Sequence, residues 1–184
     1  MATRNPPPMD PDTDEADAKQ LQLAREQGEA YKRALEHMAH VVAEDGGTQE
    51  AGEYLIGYAV EEAEGMYMWR DGALHWQEPE DENLHVEIAV CDGSDGRFVP
   101  CLTVTGTLID PDGNEVGTHE HPMLWHPMLY HYGRNWTVPA DGRYTLKVRV
   151  EPPTFMRHDD VNGCRFTESV ETTFENVKVE RGQD

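Results

Sequence analysis

Tyr144-Thr145-Leu146-Lys147-Val148-Arg149-Val150 alternates apolar and polar residues without a break. Successive side chains of a strand point to opposite faces, so Tyr144, Leu146, Val148 and Val150 line one face. Thr145, Lys147 and Arg149 line the other, the pattern of a strand with a core face and a water face. Further β-rich runs occur at Met66–Trp69, Leu84–Val90, Val99–Ile109 and Thr172–Val179. Asp110-Pro111-Asp112-Gly113-Asn114 and Ala140-Asp141-Gly142 supply turn residues between strands. No helical period interrupts the chain after Glu53, and no internal repeat appears. Short strands joined by turns predict an all-β, immunoglobulin-like β-sandwich over residues 52–180.

The chain in front of the sandwich has a different texture. Residues 1–14 are rich in Pro and Asp and predict a disordered acidic tail. Over residues 15–45, Tyr31, Ala34, Leu35, Met38 and Val42 recur at three- and four-residue steps, predicting an added N-terminal amphipathic α-helix. Asp45-Gly46-Gly47 ends it. His37 and His40 could share an ion, but no third ligand is evident nearby, and solvated helix histidines are common.

The 184 residues include 36 acidic and 15 basic side chains, a formal charge of -21. Such a chain repels nucleic acid and anionic membrane surfaces and draws in cations. The acidity reads first as a solubility surface, and by itself it marks no metal site. Cys91, Cys101 and Cys164 show no CxxC spacing, and free thiols are expected rather than a Cys91–Cys101 bridge. Met1 to Gln20 contains no apolar run of signal-peptide length and no later segment could span a membrane. As written, the chain is expected to be soluble and cytoplasmic.

Four of the nine histidines fall in Thr118-His119-Glu120-His121-Pro122-Met123-Leu124-Trp125-His126-Pro127-Met128-Leu129-Tyr130-His131-Tyr132-Gly133. Imidazole suits copper, zinc and iron, whereas thioether selects soft ions, Cu(I) above all. Interleaved His and Met therefore point to copper, against the alternative that methionines and aromatics simply pack a core. Upstream, His85 and Glu87 lie two apart on an expected strand and would present an imidazole and a carboxylate side by side. The same spacing also fits an exposed polar face. Downstream, Met156-Arg157-His158-Asp159-Asp160 could add a third imidazole, with an acidic neighbour to orient its ring.

Together these pieces resemble the iron-transport protein family: small dimeric, usually periplasmic proteins that bind copper and work beside iron permeases. The motifs carrying the resemblance are Gly52-Glu53-Tyr54-Leu55-Ile56-Gly57, His85-Val86-Glu87, the Val99–Val104 strand, Pro122-Met123, His131-Tyr132-Gly133, Gly142-Arg143-Tyr144 and Arg157-His158-Asp159-Asp160. The resemblance implies copper ligands at His85, Met123, His131 and His158, with Glu87 shaping the site and admitting iron. The Pro122–His131 segment is one residue longer than the family pattern, so Met128 is a substitute for Met123. His126, His121 and His119 have no counterpart and are candidates for a second site or a wider mouth.

Copper is thus the expected cofactor, with iron as a second candidate. A homodimer and an iron permease are the expected partners. The leading expectation is a copper-binding protein of iron and copper handling. The alternative is a copper- or iron-dependent oxidoreductase acting with oxygen on a small organic substrate, whose pocket Trp125, Tyr130, Tyr132 and Trp136 could line. No Gly-x-Ser-x-Gly elbow, Walker loop or His-Glu-x-x-His motif is present, which argues against hydrolytic chemistry.

Overall fold

The computed structural model describes residues 7–183. It contains one α-helix and eleven strands, β1 (Asp45–Ala51), β2 (Tyr54–Glu61), β3 (Met66–Arg70), β4 (Ala73–Gln77), β5 (Leu84–Asp92), β6 (Val104–Ile109), β7 (Glu115–His121), β8 (Met123–Leu124), β9 (His131–Trp136), β10 (Gly142–Val150) and β11 (Val170–Val179). An antiparallel sheet ordered β1-β2-β5-β9-β8 faces a second, ordered β11-β10-β6-β7. Strands β3 and β4 form a separate hairpin.

One core fills the space between the two sheets. Leu84, Val86, Ile88 and Val90 of β5 meet Tyr144, Leu146, Val148 and Val150 of β10, the apolar positions of the alternating run. Burying each such side chain contributes roughly 1.5–3 kcal/mol before the cost of ordering the chain.

The strand expected over Val99–Ile109 is shorter than its composition suggests. Pro100 cannot donate to a ladder and Cys101 sits at φ 59°, so pairing with β10 and β7 starts only at Val104. The Tyr132 hydroxyl ties down the irregular stretch, accepting from Leu102 N–H at 3.0 Å and donating to the Val99 carbonyl at 2.8 Å. The turn expected at Asp110–Asn114 is present, with Asp110 Oδ1 accepting from Asn114 N–H at 2.8 Å. All three cysteines are free thiols.

Helix α1 spans Ala18–His37 and is followed by one π-helical turn, Met38–Val42. It starts at a capping box: Asp17 accepts from the Gln20 N–H and the Gln20 side chain accepts from the Asp17 N–H, both at 2.7 Å. The helix expected over 15–45 is thus shorter at both ends, and β1 begins ahead of residue 52, where the sandwich was expected to start. Of the expected disordered tail, residues 1–6 lie outside the described residues. Residues 7–14 form no helix or strand, and the Asp10 N–H donates to Asn162 Oδ1 at 2.8 Å.

Leu35 and Met38 pack on the outer face of the five-stranded sheet, against Ala59, Ala89 and Cys91. Gly28 permits this approach, since a Cβ there would fall 1.8 Å from the Asp95 carbonyl oxygen. Strand β5 is therefore covered on both faces, and all nine of its residues are buried. Among the described residues, no helix is long and apolar enough to cross a membrane.

Leu35 is 1% exposed whereas Leu23 on the same helix is 52% exposed. Leu35→Ala should therefore lower unfolding free energy by about 2–4 kcal/mol in urea, and Leu23→Ala by less than about 0.5 kcal/mol. Equal losses would show that α1 does not pack on the sheet as described.

Candidate metal centre

His85 and Glu87 occupy alternate positions of β5 and point to its outer face, opposite Val86 and Ile88 in the core. Strand β9 is the antiparallel neighbour, with Glu87 paired to Gly133 and Ile88 to Tyr132. Paired residues share a face, so His131, two positions before Gly133, joins Glu87. His85, Glu87 and His131 are 0%, 4% and 3% exposed. Each offers one ligand atom to a group in which all such atoms lie within 4.8 Å of one another. The exposed polar face that the His85/Glu87 spacing also allowed is not what forms.

Gly133 makes room for the two imidazoles. A Cβ there would sit 2.9 Å from His85 Nε2 and 3.1 Å from His131 Cδ2. Asn135, two residues further along the same face, sets the state of His85. Its Nδ2 donates to the Glu64 carbonyl at 2.7 Å, which turns Oδ1 toward His85 Nδ1, also at 2.7 Å. An amide oxygen only accepts, so Nδ1 carries the proton and Nε2 keeps its lone pair. That Nε2 has no hydrogen-bond partner among the described residues, and neither has Glu87 Oε2.

His131 Nε2 lies 3.2 Å from Glu87 Oε1. Burial, then His85 and His126, push His131 down to about 3. Burial, then the charges of Glu61 and Glu64, push Glu87 up to about 8. The contact at neutral pH is therefore one between largely uncharged groups rather than an ion pair. Burial also lowers His85, partly offset by its bond to Asn135. The centre holds neutral imidazoles and a carboxyl group ready to lose its proton to a cation. That donor set fits a transition ion, which would hold such ligands at about 2.0–2.2 Å after modest side-chain movement.

The other expected ligands are placed elsewhere. Met123 is 47% exposed and pairs with Tyr132, whose side chain faces the core. Leu124, paired with His131, takes the centre's face instead, and its Cδ1 packs over Gly133. Met128 is 38% exposed, in the segment between β8 and β9. His158 is exposed and lines a cleft with Leu21, Ala24 and Asp92, at the far end of β5. His126 comes nearest of the additional histidines, its ring 6.0 Å from that of His131. His121 is buried in the other sheet against Gly106, with His119 beside Trp136. His37 and His40 are exposed on the helix and the π turn.

Sequence reading gave no role to Gly133, Asn135 or Glu61. All three follow from the period of two once the register is known: Gly133 and Asn135 share the face of His131, and Glu61 pairs with His85.

Residues 43–180 match the family described as Fe2+ transport protein. The chain belongs to that family. Among solved structures it is similar to FetP of uropathogenic E. coli strain F11, expressed in the periplasm of E. coli, with TM-score 0.58 and 19% identity over 74% of this chain and 98% of that one. It is similar to copper-reconstituted P19 of Campylobacter jejuni, with TM-score 0.61 and 15% identity over 75% of this chain and 96% of that one. A copper-bound variant of FetP gives 0.59 and 19% over 73% and 90%. No curated protein sequence matches the chain.

Glu87 links the centre to stability. Its carboxyl is raised from 4.5 to about 8, so between those values the folded chain holds a proton the unfolded chain has released. Metal-free protein should lose stability relative to Glu87→Gln as pH rises from about 5 to about 8, in urea titrations. Parallel pH dependences would place Glu87 outside a buried site.

Proposed function

We propose that this chain is a copper-binding protein of iron and copper handling that holds its ion on His85, Glu87 and His131. The observation that carries this reading is a buried donor group with two unpartnered ligand atoms, His85 Nε2 and Glu87 Oε2. Membership of the Fe2+ transport protein family and the likeness to copper-bound FetP and P19 support it. Nitrogen donors suit copper, and the carboxylate oxygen of Glu87 extends the set to iron.

In this reading the thioether comes from Met123 or Met128 through a local turn of the 123–128 segment. Its exposed methionines leave room for that movement. His158 cannot join from within the same chain, because Asp92 lies five residues along β5 from Glu87, roughly 16 Å. We therefore place His158 at the centre of a second copy across a homodimer contact, with an iron permease as the expected protein partner. The two facing sheets are read as an immunoglobulin-like sandwich over residues 52–180, with α1 as the added segment.

A second reading rests on a specific feature of the donor set. Two histidines and one carboxylate leave coordination positions open, the arrangement used by iron-dependent oxygenases. A 490 Å3 cleft lined by Tyr31, Phe98, Tyr130 and Phe166 could hold a small organic substrate of a copper- or iron-dependent oxidoreductase. Azide added to the Cu(II) protein separates the readings by electron paramagnetic resonance. An unchanged spectrum indicates a closed binding site and a shifted one an open position.

Copper titration tests the ligands. His85→Ala and His131→Ala should each lower copper affinity by at least about tenfold, while His40→Ala leaves it unchanged. His158→Ala should weaken binding only if a second copy contributes. Equal effects at positions 40, 85 and 131 would overturn the assignment.

A further inference from the structure

Helix α1 lies outside the family match, which begins at residue 43, yet it covers the sheet face that carries the metal centre. Its Leu35 and the Met38 that follows it share an apolar cluster with Leu129, and Tyr31 packs partly buried against the same cluster. Leu129 belongs to the 125–130 segment that leads into β9 and carries His126 beside His131. The Tyr31 hydroxyl donates to the carbonyl of Tyr130, the residue directly before His131. The Tyr31 ring stacks on Phe98 at 5.6 Å, and Phe98 contacts Tyr132 at 5.4 Å. Burial first, then the nearby Cys91 and Glu87, which would repel a phenolate, keep the phenol protonated and able to donate.

The three ligands are no more than 4% exposed, so an ion cannot reach them without movement. The segment next to His131 has an exposed outer surface, with Trp125 71% and Tyr130 48% exposed. Its hold on the body of the protein comes from Leu129, from the Tyr130 ring stacked on Phe98 at 6.4 Å and from the Tyr31 hydroxyl, while the Met128 N–H bonds only locally, to His126 Nδ1 at 3.2 Å.

We propose that Tyr31 is a positioning residue that latches the 125–130 segment over the metal centre and sets how fast metal enters and leaves. This rests on the copper-binding reading above and deepens it. Opening precedes both entry and exit, so weakening the latch speeds both by the same factor and leaves affinity alone. A ligand substitution would change affinity instead, and a purely structural substitution would loosen the whole sheet.

Tyr31→Phe keeps the ring stack and removes the donor. Stopped-flow loading with Cu(II) and release to a chelator should both quicken about fivefold, as for loss of one neutral hydrogen bond, with equilibrium affinity unchanged. In metal-free protein the amides of residues 126–131 should exchange faster, while those of β5 stay as in wild type. Unchanged rates and unchanged exchange overturn the latch, as does a fall in affinity without faster loading. If wild-type protein binds no copper, the copper reading fails, and amide exchange alone decides: faster exchange at 126–131 upholds the latch and unchanged exchange overturns it.

Discussion

Two imidazoles and a carboxyl group sit where water cannot reach them, on the outer face of a central strand. Ionised groups in such a place would cost several kcal/mol each, so the metal-free protein keeps them neutral. That neutrality depends on neighbours fixed by register. Asn135 holds the proton on His85 Nδ1, Glu61 and Glu64 discourage ionisation of Glu87, and Gly133 leaves space for both rings. A one-residue slip of β9 against β5 would turn Tyr132 and Arg134 outward and take His131 out of the group. The pairing that completes the core is therefore the pairing that assembles the centre.

The same strand serves both purposes because it is covered twice. Its inward residues meet β10, and its outward Ala89 and Cys91 share one cluster with Leu35, Met38 and Leu129 of the 125–130 segment. Without the helix, Ala59, Ala89 and Cys91 would form an open apolar strip beside the ligands. Covering that strip also fixes Leu129, so packing energy from the helix is applied next to His131. The appended segment thus acts on a group of three donors, His85, Glu87 and His131, that all come from the sheet.

Much of this was legible in the sequence, for physical reasons that also mark where legibility ended. The alternation in Tyr144–Val150 reads directly because one face is buried and one is wet. His85 and Glu87 read as a pair because a strand has period two, but their burial did not, since the cover over the outer face of β5 is a tertiary contact. His131 followed from the motif resemblance. Met123 illustrates the limit: the motif resemblance implied a thioether ligand there, whereas the two-residue β8 pairs it with the inward-facing Tyr132 and gives Leu124 the outer face. Pairing parity across so short a strand leaves no trace in local composition. His158 was read as a ligand from its motif, while its distance along β5 emerges only from the folded chain.

The strong negative charge and the neutral centre act at different ranges. A formal charge of -21 raises the local concentration of cations of every kind, but salt screens it and it does not choose among them. Choice is left to three donors that carry almost no charge until an ion arrives. On the proposed ligand set, binding draws the proton from Glu87, so the cation replaces a proton instead of joining a preformed anion, and the buried group never holds an uncompensated charge. Ions that bind oxygen through charge alone gain little from a protonated carboxyl beside two imidazoles. An ion that bonds nitrogen strongly can supply the free energy to displace the proton. The desolvation that makes the centre costly to build is thus what biases it toward transition metals over magnesium or calcium.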